Sequence, residues 1–281
     1  MAVIYMQFPG GVSKALTLSY DDGVVQDIRL MEILQKYRIK CTFNLNSGLF
    51  GDEAKKFPAG QNHPRLTKQQ AQELYQNSGM EVAAHGLHHP FLEHLPPEQC
   101  VQELMEDRRN LEAMFGGTVR GCAYPYGTFN SDVEQTLRLC GYAYARSIDD
   151  QMPERTKYEL PADWFHWRPT CHHTEERLLT LAQKYVELKA KRARVFYLWG
   201  HSYEFDEQNN WDLIEQFCQI VSGKSDIWYA TNMEIYNYVE AYRRLRFNAD
   251  GTFVENPSDT DVCFVRDMDA FCVRAGSSMK F

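Results

Sequence analysis

The chain has 281 residues, 44% of them hydrophobic and 24% charged, enough apolar material for one large packed domain or two modest ones. A net charge of −8 excludes the basic footprint expected of a protein that binds nucleic acid or anionic membranes. No apolar run is long enough to span a bilayer, and nothing in the sequence fixes an oligomeric state.

The N-terminal segment MAVIYMQFPGG lacks a basic stretch followed by a long apolar one and does not read as a secretory signal, with a processed secreted form as the alternative. None of the eight cysteines forms a CxxC pair, and most sit in apolar stretches. They read as buried, reduced thiols of a cytoplasmic protein.

A first strand is predicted at Ala15–Ser19, ending in Tyr20-Asp21-Asp22-Gly23, and a helix near Asp27–Tyr37 with Ile28, Met31, Leu34 and Tyr37 on one face. The strand Cys41–Leu45 follows, then a polar loop over 47–66. Thr67 caps a helix to about Ser78, and Met80–Ala84 is a strand. Pro96 and Pro97 open a helix to Phe115, Gly121–Tyr124 is a strand, and Ser131 with Glu134 makes a capping box for the next helix. Strand Tyr142–Ser147, helix Thr174–Ala190, strand Val195–Trp199, helix Trp211–Val221, strand Ile227–Ala230 and a helix to Arg244 complete the series.

Seven strands alternating with helices imply parallel strands with crossover helices, and at this length a closed barrel is the natural form. The remainder changes character. Asp250-Gly251 between Phe247 and Phe253 signals a hairpin, with short strand candidates at Val262–Val265 and Phe271–Val273. The expected division is a barrel over 1–245 and a small β extension over 246–281, packed on it.

In parallel barrels the chemistry gathers at the carboxyl ends of the strands. Four polar clusters fall there: Asp21-Asp22, His85-Gly-Leu-His88-His89, Tyr124-Pro125-Tyr126-Gly127 and Gly200-His201. Adjacent aspartates on a tight turn point different ways, so one can bind a metal while the other accepts a proton. Histidines four apart plus a carboxylate form a usual catalytic zinc set, with a position left for water. Spacing leaves open which histidines ligate. Cys171-His172-His173 has no matching partner cluster and reads as a loop with incidental histidines, and Glu204 as either an exposed loop charge or a group near the site.

Thr17-Leu18-Ser19-Tyr20-Asp21-Asp22-Gly23 resembles the first motif of the polysaccharide deacetylase family, the NodB-homology or carbohydrate esterase family 4 domain. His85-Gly-Leu-His88-His89-Pro90 resembles its second motif, Tyr124-Pro125-Tyr126-Gly127 its third, Asp163-Trp164-Phe165-His166-Trp167 its fourth and Trp199-Gly200-His201 its fifth. The likeness runs over residues 12–240 and implies a distorted, TIM-like (β/α)7 barrel. It also implies roles. Asp22, His85 and His89 would bind a divalent metal, zinc first, with cobalt, nickel or manganese as alternatives. Asp21 would be the base and His201 the acid. The backbone N–H of Tyr126 would help hold the oxyanion, and Trp167 and Trp199 would line the acetyl pocket.

The implied substrate is an acetylated carbohydrate, N-acetyl ahead of O-acetyl. Two other readings stand beside it: hydrolysis of a small cytoplasmic cyclic amide or ureide, and a non-catalytic glycan binder. The chain departs from the family where an Arg usually stands two residues before the third-motif Pro, because that position is Ala123. Arg168, or Arg120, is the expected substitute for orienting Asp21. His166 stands where a second Asp is common, and Trp199 replaces the usual Leu.

Overall fold

Strand β2 (Lys14–Asp21) is buried at all eight positions and organises the computed structural model, in which residues 3–51, 63–148, 152–153 and 156–281 are described. The middle of the expected 47–66 loop, 52–62, lies outside the described residues. One edge of β2 carries β8 (Arg194–Gly200) over Lys14–Tyr20. Its other edge is shared. β9 (Ile227–Tyr229) pairs with Lys14–Leu16, and β3 (Thr42–Leu45) pairs with Ser19–Asp21. From β3 the sheet continues in parallel through β4 (Glu81–Ala84), β5 (Gly121–Ala123) and β6 (Tyr144–Arg146).

Beyond β8 lies β7 (Cys171–His172), and the chain leading into it bridges back to β6 through Arg146↔Trp167. The two ends of the sheet are thus joined, and the expected distorted barrel closes with seven strands, β9 pairing with β2 off that path. The strand missed in the sequence is β7, whose two residues are too few to carry an alternation signal.

The covering helices are α1 (Asp27–Lys36), α2 (Lys68–Tyr75), α3 (Pro97–Phe115), α4 (Ser131–Leu139), α5 (Leu178–Glu187), α6 (Tyr203–Glu207), α7 (Trp211–Val221) and α8 (Asn232–Arg243). Helix α1 buries Leu30, Met31, Ile33 and Leu34, whereas Ile28, placed on the buried face by its spacing, is 41% exposed. Helix α4 starts one residue earlier than its expected cap. Asn130 accepts from the N–H groups of Asp132 and Val133, so the Ser131 box does not form.

Helix α8 is capped by a reciprocal Thr231–Glu234 box, and its first N–H groups reach a polar cluster inside the barrel. Asn232 N–H donates to Thr42 Oγ1, and Met233 N–H donates to Glu81 Oε2. Tyr144 and Thr42 hydroxyls complete the shell of that half-buried carboxylate. Thr231→Ala removes one cap bond and should cost about 1 kcal/mol. The check is a fall of roughly 2–4 °C in the thermal midpoint.

Strand β1 (Ile4–Gln7) pairs antiparallel with β12 (Val262–Arg266), which pairs with β13 (Asp269–Val273), so the first strand of the chain sits with its last segment. The Asp250-Gly251 signal corresponds to the β10 (Arg246–Phe247) to β11 (Phe253–Glu255) hairpin, extended by β14 (Ser278–Lys280). Val254, Phe264 and Val273 form a small apolar cluster of their own. The expectation of eight reduced thiols fails at one pair. Cys263 and Cys272 face each other across the β12–β13 ladder and are disulfide-bonded, while the other six are free. Among the described residues no helix is long and apolar enough to cross a membrane.

Candidate active site

Asp21 and Asp22 sit at the carboxyl end of β2. Successive side chains of an extended strand point to opposite faces, which would send these two apart. Asp22 breaks the alternation with φ 88, a left-handed conformation uncommon outside glycine. Both carboxylates therefore meet the histidines: Asp21 Oδ2 is 3.8 Å from His85 Nε2, and Asp22 Oδ1 is 3.9 Å from His89 Nε2. His89 is itself left-handed, with φ 55, which turns its ring back so that its Nε2 lies 3.1 Å from His85 Nε2.

Potential ligand atoms of Asp22, His85 and His89 all lie within 4.8 Å of one another. The donor set fits a divalent cation. His85 Nδ1 is held 2.8 Å from the Ala123 carbonyl, so its proton is there and the Nε2 lone pair faces inward. Two such lone pairs 3.1 Å apart repel unless a proton or a cation stands between them. Burial, with His85 beside it, pushes His89 down to about 3, and burial pushes His85 down as well, so both rings are neutral, as ligands must be. Burial would raise Asp22, but Arg65 and the neighbouring histidines outweigh it and hold the carboxyl well below its ordinary range. Arg65 Nη1 stands 3.0 Å from Asp22 Oδ1 without hydrogen-bond alignment, leaving that buried oxygen unsatisfied. His88 turns outward to Glu103, with Nδ1 2.7 Å from its carboxylate, and stands apart from the Asp22–His85–His89 cluster.

Asp21 is almost fully buried and ion-paired to Arg146, whose Nη2 donates to both carboxylate oxygens. Asn44 Nδ2 donates to Oδ1 at 2.7 Å. Burial would raise the Asp21 carboxyl, but Arg146, with His85 and His201, holds it below its usual value. The substitute for the missing Arg at Ala123 is thus Arg146, at the carboxyl end of β6, and neither Arg168 nor Arg120. Arg120 is spent on the Gly141 carbonyl. Arg146 was missed although the signal was present: a lone charge at the end of an apolar strand, in the layer that holds Asp21 and Asn44.

His201 follows β8, with Nε2 3.9 Å from Asp21 Oδ2 and Nδ1 3.3 Å from Glu204 Oε2. Burial would lower its pKa, but the Glu204 hydrogen bond and the two aspartates raise it above the ordinary value. Glu204 is therefore no free loop charge. It also meets His172 and His173, so the reading of those two as incidental is overturned. Tyr126 lies in a left-handed turn, φ 58, with its ring 4.4 Å from that of His89 and stacked 3.9 Å from Phe91.

The two tryptophans divide. Trp199 is 8% exposed beneath the Arg146 guanidinium, 4.6 Å away, and adjoins His201. Trp167, expected to line a pocket, is 1% exposed and enclosed by Tyr144, Trp164 and Tyr197, so it has no face left for a substrate.

A buried carboxylate paired to a guanidinium, an Asp-His-His cluster and a histidine with a raised pKa thus meet at the strand ends of a parallel barrel. Residues 10–145 match the family model for polysaccharide deacetylase. No curated protein matches. Among solved structures, a polysaccharide deacetylase described as putative from Mycobacterium smegmatis is 16% identical with TM-score 0.58, over 85% of this chain and 94% of that one. The Xyl-CE4 domain of a multidomain xylanase from the hindgut metagenome of Trinervitermes trinervoides is 15% identical with TM-score 0.52, over 81% and 92%. These likenesses show the fold. A Streptococcus pyogenes deacetylase, PplD, is 25% identical over 46% of this chain with TM-score 0.41, and the chain covers 54% of it.

Proposed function

We propose that the chain is a metal-dependent hydrolase that removes an acetyl group, N-acetyl ahead of O-acetyl, from a carbohydrate. The observation that carries this is Asp21, fixed by Arg146 and standing 3.8–3.9 Å from both His85 and His201, between a cation-ready set and an imidazole whose pKa is raised. A divalent metal held by Asp22, His85 and His89, zinc ahead of cobalt, nickel or manganese, would polarise the acetyl carbonyl and acidify a bound water.

Asp21 takes the proton of the attacking water. Its ion pair keeps it ionised and aimed. The backbone N–H of Tyr126 donates to the carbonyl oxygen as that atom gains charge. His201 Nε2–H then protonates the leaving nitrogen, which could not depart as a bare anion. Acetate and a free amine result. Trp199 contributes an apolar wall, and Glu204 holds His201 in orientation and in its charged form.

The charged form sets a pH limit. His201 serves as acid only when protonated, so kcat/KM falls as pH rises through its pKa. Glu204→Gln removes the main interaction raising that pKa. The alkaline limb should move down, toward or below the ordinary imidazole value of about 6.5, and a pH–rate profile reads the shift directly.

The six free cysteines favour a cytoplasmic, reducing compartment, against the single Cys263–Cys272 bond. Thiol counting on native protein decides between them. The test of function is acetate release from chitooligosaccharides by chelator-stripped protein, with and without one equivalent of zinc. Metal-dependent release is expected. Turnover of cyclic amides alone in the same panel would reassign the substrate class, and no release from any acetylated glycan would overturn the proposal.

A further inference from the structure

A second group of ligating side chains lies behind His201. Glu204 Oε2 is 3.1 Å from His173 Nε2, 3.2 Å from His172 Nε2 and 3.3 Å from His201 Nδ1. Potential ligand atoms of His172, His201 and Glu204 all lie within 4.8 Å of one another. The residues come from the end of β7 and from the β8–α6 junction, neighbours across the His172↔Trp199 rung of the ladder.

Hydrogen bonding alone does not account for this meeting. One carboxylate oxygen faces three ring nitrogens and the His201 backbone N–H at 3.1 Å, more than its lone pairs can serve. His173 is the clearest case. Its side chain is 1% exposed, and neither ring nitrogen has an aligned hydrogen-bond partner. Its Nδ1 is pressed against Gly200, where a Cβ would stand 2.0 Å away, so the ring is locked with Nε2 toward Glu204. An unsatisfied, immobilised imidazole aimed at a carboxylate calls for a further partner, and a cation between the two would supply it. His172 Nδ1 accepts from the Thr174 backbone N–H at 3.2 Å and lies 2.7 Å from Thr174 Oγ1. A cation at Nε2 therefore requires the ring proton to leave Nε2, and Thr174 Oγ1 can accept it if it moves to Nδ1. The separations of 3.1–3.3 Å approach the edges, roughly 3.3–3.4 Å, of a tetrahedron with ligand bonds of about 2.0–2.1 Å.

We propose that His172, His201 and Glu204, with His173 beside them, form a second divalent-cation site of zinc type, and that filling it inhibits acetyl hydrolysis. The inhibition rests on the acid role assigned to His201 above; the site itself does not. A cation entering at His201 Nδ1 displaces the proton there to solvent. The ring then keeps only the Nε2–H of a neutral, metal-bound imidazole, a much weaker acid than the imidazolium, and the leaving nitrogen loses its proton source.

The test is zinc stoichiometry of the chelator-stripped full chain, measured in competition with a chromophoric chelator, with circular dichroism to confirm folding. The wild type should bind two equivalents, and His89→Ala and His172→Ala one each. Zinc beyond one equivalent should slow acetate release at least tenfold in the wild type. It should leave His172→Ala at its own one-equivalent rate. One equivalent in the wild type and none in His89→Ala would overturn the second site while sparing the proposed function. Loss of metal in His172→Ala with no loss in His89→Ala would do the reverse. Two equivalents in folded His172→Ala would place the extra ion elsewhere and also overturn the inference. If His172→Ala does not fold, retention or loss of the last equivalent in His89→Ala decides alone.

Discussion

Asp21→Asn should lower kcat/KM by about 10²–10⁴-fold, the usual worth of a positioned general base, while zinc stoichiometry stays at the wild-type value. The amide keeps an oxygen for Arg146 and nearly the same volume, so geometry is disturbed little. What changes is charge. Arg146 has a fully buried side chain, and removing one partner of a buried ion pair typically costs about 3–5 kcal/mol. Activity, metal content and the unfolding midpoint are therefore read on the same sample. Loss of turnover in folded, metal-loaded protein identifies the base, and unchanged turnover sinks the assignment.

Arg146→Met should be as damaging by a different route. Burial is already the largest influence on the Asp21 carboxyl, and the guanidinium is what overcomes it. Without Arg146 the carboxyl pKa rises. The base is active only when deprotonated, so the acid limb of the pH–rate profile moves to higher pH, and turnover at neutral pH falls. Stability should drop by about 3–5 kcal/mol in denaturant titration, because a buried charge is left unpaired. The double variant Asp21→Asn/Arg146→Met carries no orphaned charge and should be less destabilised than the sum of the single variants, a coupling that a double-mutant cycle measures. An unmoved acid limb in Arg146→Met would refute its hold on the base.

The strand-end clusters were legible because each motif sits where a run of apolar residues stops. Asp21-Asp22, His85 and His89, and His201 needed no tertiary information beyond that rule. Arg146 lay under the same rule but was passed over, since one charge in Tyr-Ala-Arg looks like a strand boundary. Its partner is 125 residues away, and only barrel closure brings the two together. Glu204 and the His172–His173 pair were hidden by β7, a strand of two residues that no periodicity reveals. The choice between His88 and His89 depended on φ 55 at His89, a backbone state with no signature in a histidine-rich loop. The disulfide required the β12–β13 register, which sets Cys263 opposite Cys272.

The short seam at β7 has a consequence for how the molecule breathes. The ring is held there by a single bridge at Trp167 and a two-residue ladder, whereas the neighbouring β2–β8 seam has seven rungs. Transient opening takes place where the fewest backbone bonds must break. The residues beside it, Arg146, His172 and His173, contact Asp21 and Glu204, and a second thin seam is the single β4–β5 rung just before His85. Gentle warming would therefore loosen the polar side chains at the strand ends before the barrel as a whole gives way.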